Sequence, residues 1–286
     1  MKNFFLKILI KIYGVLPKKL RGLLKLGSNA SILKVLPEYA YGYIKPNNVR
    51  AKLFLNDYIQ KRIYATGYFE KDESLALLKL FPNNGIFLDI GANIGVYSFI
   101  FYKKAEHVYA FEATKKTYDH LCEIIKDNKI LNITPVFAAV HSKDDDEITI
   151  FSDYHDNCGN NSMYGSIENI ANTVMSISID TWVKNNNIKD ISMIKIDIEG
   201  NELSAFKGMK KSLKKFKPII FCEINYHASI SAGSTSLELF NYIIEKFNYC
   251  AKIFINKQYV EIDREYIEKN NKIINCYFFP NEKEEN

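Results

Sequence analysis

Residues Gly85–Phe101 read GIFLDIGANIGVYSFIF: an apolar run reaches Asp89, bends through two glycines four residues apart, and turns apolar again. That is the order of strand, tight turn and helix. The same alternation recurs from about Asn83 onward and predicts a largely parallel sheet with helices on both faces. Strands are expected at Ile86–Ile90, His107–Phe111, Thr134–Ala139, Met193–Ile198 and Ile219–Ile224. Helices are expected at Thr117–Lys129, Glu202–Phe216 and Ser236–Phe247. EITIFSD (Glu147–Asp153) reads as an extra strand or hairpin, and CAKIFI and IINCYFF as two late strands. The segment Ser31–Phe81 reads as mainly helical.

Gly91 and Gly95 sit where the first strand meets the first helix. Glycine lets backbone approach a ligand there, and a helix N-terminus offers unpaired N–H groups. A G-x-x-x-G turn alone serves structure in many α/β folds, but Glu112 closes the second strand 17 residues after Gly95. Doubly wound folds place an acid there to hold ribose hydroxyls. A dinucleotide fingerprint would need glycines at 93 and 96, where this chain has Asn93 and Val96. Ribose binding is supported and NAD is not.

MIKIDIEG carries the next pattern. Period-two alternation puts Lys195, Asp197 and Glu199 on one face, with Asp197 and Glu199 roughly 6–7 Å apart along the strand. FCEINYH repeats the design with Glu223, Asn225 and His227. Ligands of open α/β sheets bind outside the carboxyl ends of strands, so these groups are expected to converge on one crevice. The plainer roles are a cap for the helix beginning near Asn201, for Asp197 and Glu199, and a solvated loop position for His227. A carboxylate cluster can hold a divalent cation or accept a proton near neutrality. SKDDDE at Ser142–Glu147 reads as a solvated turn before a strand rather than a metal site.

Composition narrows the class. With 47% hydrophobic and 25% charged residues the chain is an ordinary globular protein. Its five scattered cysteines include no C-x-x-C pair, so they read as reduced thiols of a cytosolic protein. The net charge of +5 is local. Residues 1–37 hold eight of the 38 basic residues and none of the 33 acidic ones, which leaves 30 basic against 33 acidic in the remainder. That weakens a nucleic-acid reading of the overall charge. The basic segment places Phe4, Phe5, Ile8, Leu9, Ile12, Tyr13 and Leu16 on one helical face, with lysines opposite. It is too charged for a signal peptide and too short to span a bilayer. Two readings stay open: a helix packed on the body or on a second subunit, or a peripheral membrane contact through residues 1–26.

FLDIGANIGVYS, VYAFEATKKTYDHL, ITPVFAAV, GNNS, ISIDTW, MIKIDIEGNELSAFKGMKKSL and PIIFCEIN follow one another in this chain. In that order they resemble the FkbM family of S-adenosylmethionine-dependent methyltransferases, over about Gly67 to Asn225. The resemblance implies a class I (Rossmann-like) methyltransferase fold: a seven-stranded, mostly parallel sheet whose last inserted strand is antiparallel. It implies that Asp89, Gly91, Ala92, Asn93 and Gly95 lie against the methionine and ribose of the cofactor, that Glu112 binds the ribose hydroxyls, and that Ala138 and Ala139 border the adenine. Glu70 would also face the cofactor, and Asn160, Asn161 and Ser162 match a loop that often reads GGNS. Glu199 or Asp197 would act as base, with Glu223 and His227 orienting the acceptor. Mg²⁺ dependence stays open, with Asp197 and Glu223 as its candidate ligands.

The expected organisation is a basic arm (1–37), a mainly helical lead-in (38–82), a methyltransferase domain (83–280) and an acidic tail (281–286). The expected function is O-methylation of a sugar hydroxyl on a nucleotide- or lipid-linked precursor of a surface glycan. The expected place is the cytoplasm or the inner face of the membrane, with no nucleic-acid partner and with oligomerisation open. A non-catalytic binding module and an NAD-dependent oxidoreductase are the competing readings.

Overall fold

A computed structural model describes residues 37–151, 162–163 and 170–281. The basic arm, Cys158, Asn160, Asn161 and residues 282–286 of the tail lie outside the described residues. The described chain opens with β1 (Tyr39–Ile44) and β2 (Val49–Phe54), then helices Tyr58–Thr66 and Lys71–Leu80. β3 (Ile86–Ile90), helix Val96–Phe101, β4 (His107–Glu112), helix Lys115–Asp127 and β5 (Ile133–Phe137) follow. β6 (Ala139–Val140), β7 (Glu147–Phe151) and β8 (Ile170–Ile177) make a separate small sheet in the order β6-β8-β7. After helix Ile179–Asn185 come β9 (Met193–Ile196), helices Glu202–Lys207 and Lys210–Phe216, and β10 (Ile219–Asn225). Helices Tyr226–Ser231 and Ser236–Phe247 lead to β11 (Tyr249–Ile255), β12 (Gln258–Ile262), helix Arg264–Lys269 and β13 (Ile273–Pro280).

The main sheet runs β12-β11-β13-β10-β9-β3-β4-β5. β5, β4, β3, β9 and β10 are mutually parallel, and β13 lies antiparallel between β10 and β11. This is the expected class I arrangement with one addition. β12 pairs antiparallel with β11 at the edge, so the sheet has eight strands rather than seven. Alternation along each strand feeds two cores. Leu88, Ile90, Phe111, Ile194 and Ile196 join one, whereas Phe87, Val108, Ala110 and Met193 join the other. Chain order reverses between β3 and β9, the switch point outside which open α/β sheets bind ligands.

The mainly helical reading of the lead-in needs correction. YAYGYI and VRAKLF pair as an antiparallel hairpin. Ile44, Val49, Ala51 and Leu53 are buried under it, and Tyr39, Tyr41 and Tyr43 point outward, which is a period of two and not of 3.6. Helix Glu202–Phe216 is two helices broken at Gly208–Met209. Strand Thr134–Ala139 divides because Ala139 leaves the main sheet to pair with Ser176 of β8. Acidic Ser142–Glu147 is a turn before β7, as expected. Its Asp144 accepts from the Ser178 N–H and hydroxyl and from Thr181, tying the turn to the start of helix Ile179–Asn185.

Candidate active site

The turn after β3 is shaped from both sides. Gly91 takes φ 75° and Asn93 φ 52°, left-handed conformations that glycine and asparagine tolerate best. A Cβ at Gly91 would collide with the carbonyl oxygen of Asp197, so this turn and the one after β9 touch backbone to backbone. The N–H groups of Gly91 and Ala92 are already bonded to the Phe111 carbonyl at 3.0 and 2.9 Å. Glu112 closes the corner. Its Oε2 accepts the Asn93 N–H and its Oε1 the Thr114 N–H, each at 2.8 Å. Burial raises its pKa, against the pull of those N–H donors and of Lys195. The Thr114 hydroxyl also bonds this carboxylate, which leaves about one of its roughly four acceptor positions for a ribose hydroxyl.

Gly91, Ala92, Asn93, Glu112, Ala138, Ala139 and Glu70 all line one crevice, together with Ser162, Lys195, Asp197 and Glu199. The crevice is concave and opens to solvent at its mouth, the setting in which small-molecule sites are found. Two expected cofactor contacts stand behind its wall instead. Asp89 is fully buried, its Oδ2 accepting from the Ser98 N–H at 2.9 Å and the Ser98 hydroxyl at 2.6 Å. Gly95 caps helix Val96–Phe101 and packs on Leu121 and Phe99. Both shape the turn and do not line the crevice.

The second wall comes from the carboxyl ends of β9 and β10. β9 ends at Ile196, two residues short of the expected strand, and Glu199 takes φ 52° in the following turn. The alternation that was to space Asp197 and Glu199 along a strand therefore does not apply. The turn folds them toward β10, and carboxylate oxygens of Asp197, Glu199 and Glu223 all lie within 4.8 Å of one another. Asn225 braces the trio, its Nδ2 donating to Glu199 Oε2 at 3.5 Å while its Oδ1 caps helix Tyr226–Ser231. His227 is exposed on the first turn of that helix with its ring against Tyr226, outside the trio.

A family model described as the methyltransferase FkbM domain matches residues 89–254, more than half of the chain. The chain belongs to that family. Hexuronic acid methyltransferase AglP of Haloferax volcanii is 29% identical over 161 residues, 56% of this chain and 64% of that protein. A tRNA(Phe) (4-demethylwyosine(37)-C(7)) aminocarboxypropyltransferase of Methanocaldococcus jannaschii is 32% identical over 82 residues, 28% of this chain and 32% of that one. The chain thus spans less than two thirds of the length of these curated relatives. The crystal structure of the methyltransferase FkbM of Methylobacillus flagellatus aligns at 22% identity and TM-score 0.44, covering 70% of this chain and 44% of that one.

The FkbM domain also uses residues that the sequence reading passed over. Lys195 is buried, and its Nζ donates to the Gly91 carbonyl at 2.8 Å, 3.6 Å from Asp197 Oδ2 and 4.0 Å from Asp89 Oδ1. Burial acts to lower its pKa, but the charges of Asp197, Asp89, Glu223 and Glu70 outweigh it and raise the pKa, so the ammonium persists. Tyr97, also buried, donates to Glu70 Oε2 at 2.8 Å, and Asn275 of β13 approaches Glu70 Oε1 at 3.4 Å. Lys195 was visible on the polar face of KIDIE, yet a strand lysine ordinarily reads as solvated.

Burial pushes Glu223 from the usual carboxylate value up to about 9, with Asp197, Glu199 and Glu70 adding to it. The folded chain therefore keeps a proton that the unfolded chain releases near pH 4.5. Stability from this group is full below that pH and is lost as pH rises toward 9. Urea unfolding between about pH 6 and about pH 8.5 is expected to show stability falling by up to about 1.4 kcal/mol per pH unit, and less steeply in Glu223→Gln. Glu202, pushed up to about 7 by its burial, contributes to both proteins and cancels in the difference. Equal slopes would show that Glu223 carries no such proton.

Proposed function

We propose that this FkbM domain transfers a methyl group from S-adenosylmethionine to a sugar hydroxyl, on a nucleotide- or lipid-linked precursor of a surface glycan. The observation that carries the reading is the meeting of the Gly91 and Asp197 turns, which sets a ribose-holding corner and a carboxylate trio around one crevice. The residues suit that cofactor. Gly91 and Asn93 leave a backbone cradle, Glu112 retains an acceptor position for a ribose hydroxyl, and Ala138 and Ala139 border space for a flat base. Glu70, Asp197 and Glu199 outnumber Lys195, which favours a positively charged sulfonium.

The bound cofactor supplies an activated methyl group. What remains for the chain is to align an acceptor oxygen with it and to take up the acceptor's proton as the carbon–oxygen bond replaces the carbon–sulfur bond. Glu223, holding its own proton, is suited to orient the acceptor by donation, which leaves Asp197 or Glu199 as base. The paired Asp197 and Glu199 carboxylates disfavour an anionic reacting group and favour a neutral hydroxyl. The name of the Haloferax volcanii relative supports a sugar acceptor. The same trio has oxygen donors suited to Mg²⁺, which would displace the Glu223 proton. A rise in melting temperature with millimolar Mg²⁺, absent in Glu223→Gln, would report that occupancy.

Among the described residues no helix is long and apolar enough to cross a membrane. The reading places the protein at the cytoplasmic face, with residues 1–26 as a peripheral contact and without a nucleic-acid partner. The test is transfer of labelled methyl to a panel of nucleotide- and lipid-linked sugars. Asp197→Asn or Glu199→Gln is expected to lower kcat by at least about 100-fold with cofactor binding kept. Undiminished turnover in both would remove the trio from the chemistry, and labelling of no sugar in the panel would overturn the acceptor class.

A further inference from the structure

The hairpin in front of the catalytic sheet has two unlike faces. Its register sets Tyr39 opposite Phe54, Tyr41 opposite Lys52 and Tyr43 opposite Arg50, all on the side turned away from the core. Tyr39, Tyr41 and Tyr43 are 44%, 51% and 55% exposed. The Arg50 guanidinium lies 4.2 Å over the Tyr41 ring, and the Lys52 ammonium 4.3 Å over Tyr39. None of these six outward residues is acidic; Glu38 stands just before them. The opposite face is fixed. Asn47 in the turn donates to the carbonyls of Phe99 and Ile100, and the Lys52 carbonyl bonds His120 at 2.8 Å.

The chain that enters β1 is residues 1–36, with eight basic residues and no acid, whereas the remainder of the chain is net acidic. We propose that the outer face of this hairpin docks on an anionic lipid bilayer surface. Arm and face carry the same sign of charge, so covering one with the other would set cations against cations. An anionic bilayer neutralises both at once. Tyrosine is suited to the headgroup layer, where its phenol stays wet and its ring is shielded, and Arg and Lys extend to the phosphates. The cations already lying over Tyr39 and Tyr41 cover one face of each ring, which disfavours stacking of sugars or bases there.

Helix Tyr58–Thr66 joins this face to the catalytic crevice. Tyr58 is 56% exposed, and the next residue, Ile59, lines the crevice. Docking would bring the mouth toward the layer in which a lipid-linked acceptor lies; that consequence alone rests on the sugar-methylation reading.

The test is sedimentation of the full chain with vesicles of phosphatidylcholine, alone or with roughly 30 mol% phosphatidylglycerol. The wild type is expected to pellet with the anionic vesicles only, and to be released by salt. The double variant Arg50→Glu with Lys52→Glu, its arm intact, is expected to bind at least about tenfold more weakly. Tyr41→Ser with Tyr43→Ser is expected to weaken binding as well. An unchanged urea-unfolding midpoint shows that each variant is folded. Equal pelleting of wild type and the charge-reversed variant would overturn the proposal, as would equal binding to neutral vesicles. Retention of the wild type by tRNA but not by anionic vesicles would replace lipid with nucleic acid. No acceptor enters this assay, so its failure is separate from failure of the methyl-transfer reading.

Discussion

Gly91→Ala is expected to lose at least about 3 kcal/mol of stability in urea unfolding, together with cofactor binding. Two costs add. The left-handed φ of 75° disfavours any residue with a Cβ by roughly 1–2 kcal/mol. The new methyl would also meet the Asp197 carbonyl oxygen, which is backbone and cannot rotate aside. Relief requires the turns after β3 and β9 to separate, and the Lys195 bond to the Gly91 carbonyl and the placing of Asp197 depend on their contact. A variant within about 0.5 kcal/mol of the wild type would mean that the two turns are not rigidly apposed.

Lys195→Met is expected to cost about 3–5 kcal/mol, although methionine nearly matches the volume of the stem. The substitution removes the donor to the Gly91 carbonyl. It also leaves Asp89 Oδ1, which has no hydrogen-bond partner, without the cation 4.0 Å away. Breaking a buried pair exposes the penalty of the charge left behind. Adding Asp89→Asn to Lys195→Met should therefore restore part of the loss, because the neutral amide retains an acceptor for Ser98. A double variant less stable than Lys195→Met by the full cost of Asp89→Asn alone would show that the two side chains are uncoupled.

These two residues also show how much of the molecule is legible in one chain. β3 and helix Ser236–Phe247 match their sequence readings residue for residue. Apolar alternation set the first, and in the second Thr235 and Glu238 form a capping box. The parallel order follows from the alternation of strands and helices. The hairpin was missed because Ala and Gly dilute the tyrosines of YAYGYI, and Arg, Ala, Lys and Leu fill most of VRAKLF, so neither strand shows a dominant local preference. Burial of Ile44, Val49, Ala51 and Leu53 against the core decides their conformation.

At the site, the sequence reading brought Asp197, Glu199 and Glu223 together through a strand alternation that does not extend so far. They meet because β9 stops at Ile196 and the turn folds back on Gly91. The family resemblance set Asp89 against the cofactor, but its Oδ2 is taken by Ser98 and its Oδ1 is buried 4.0 Å from Lys195. Lys195 could not be recognised locally. The carboxylates around it come from Glu70, Asp89, Asp197 and Glu223, on four separate elements.

The central claim is that the crevice built on Gly91, Asn93 and Glu112 binds S-adenosylmethionine. Calorimetric titration of the full chain with S-adenosylhomocysteine tests it most directly, alongside NAD and the Glu112→Ala variant. Losing Glu112 frees the Asn93 and Thr114 N–H groups and is expected to cost about 1–3 kcal/mol of stability, so titrations are run well below the melting transition. The expected result is one-to-one binding to the wild type, none with NAD, and at least about tenfold weaker binding to the still-folded variant. Undiminished binding to Glu112→Ala, or binding of NAD in place of S-adenosylhomocysteine, would contradict it.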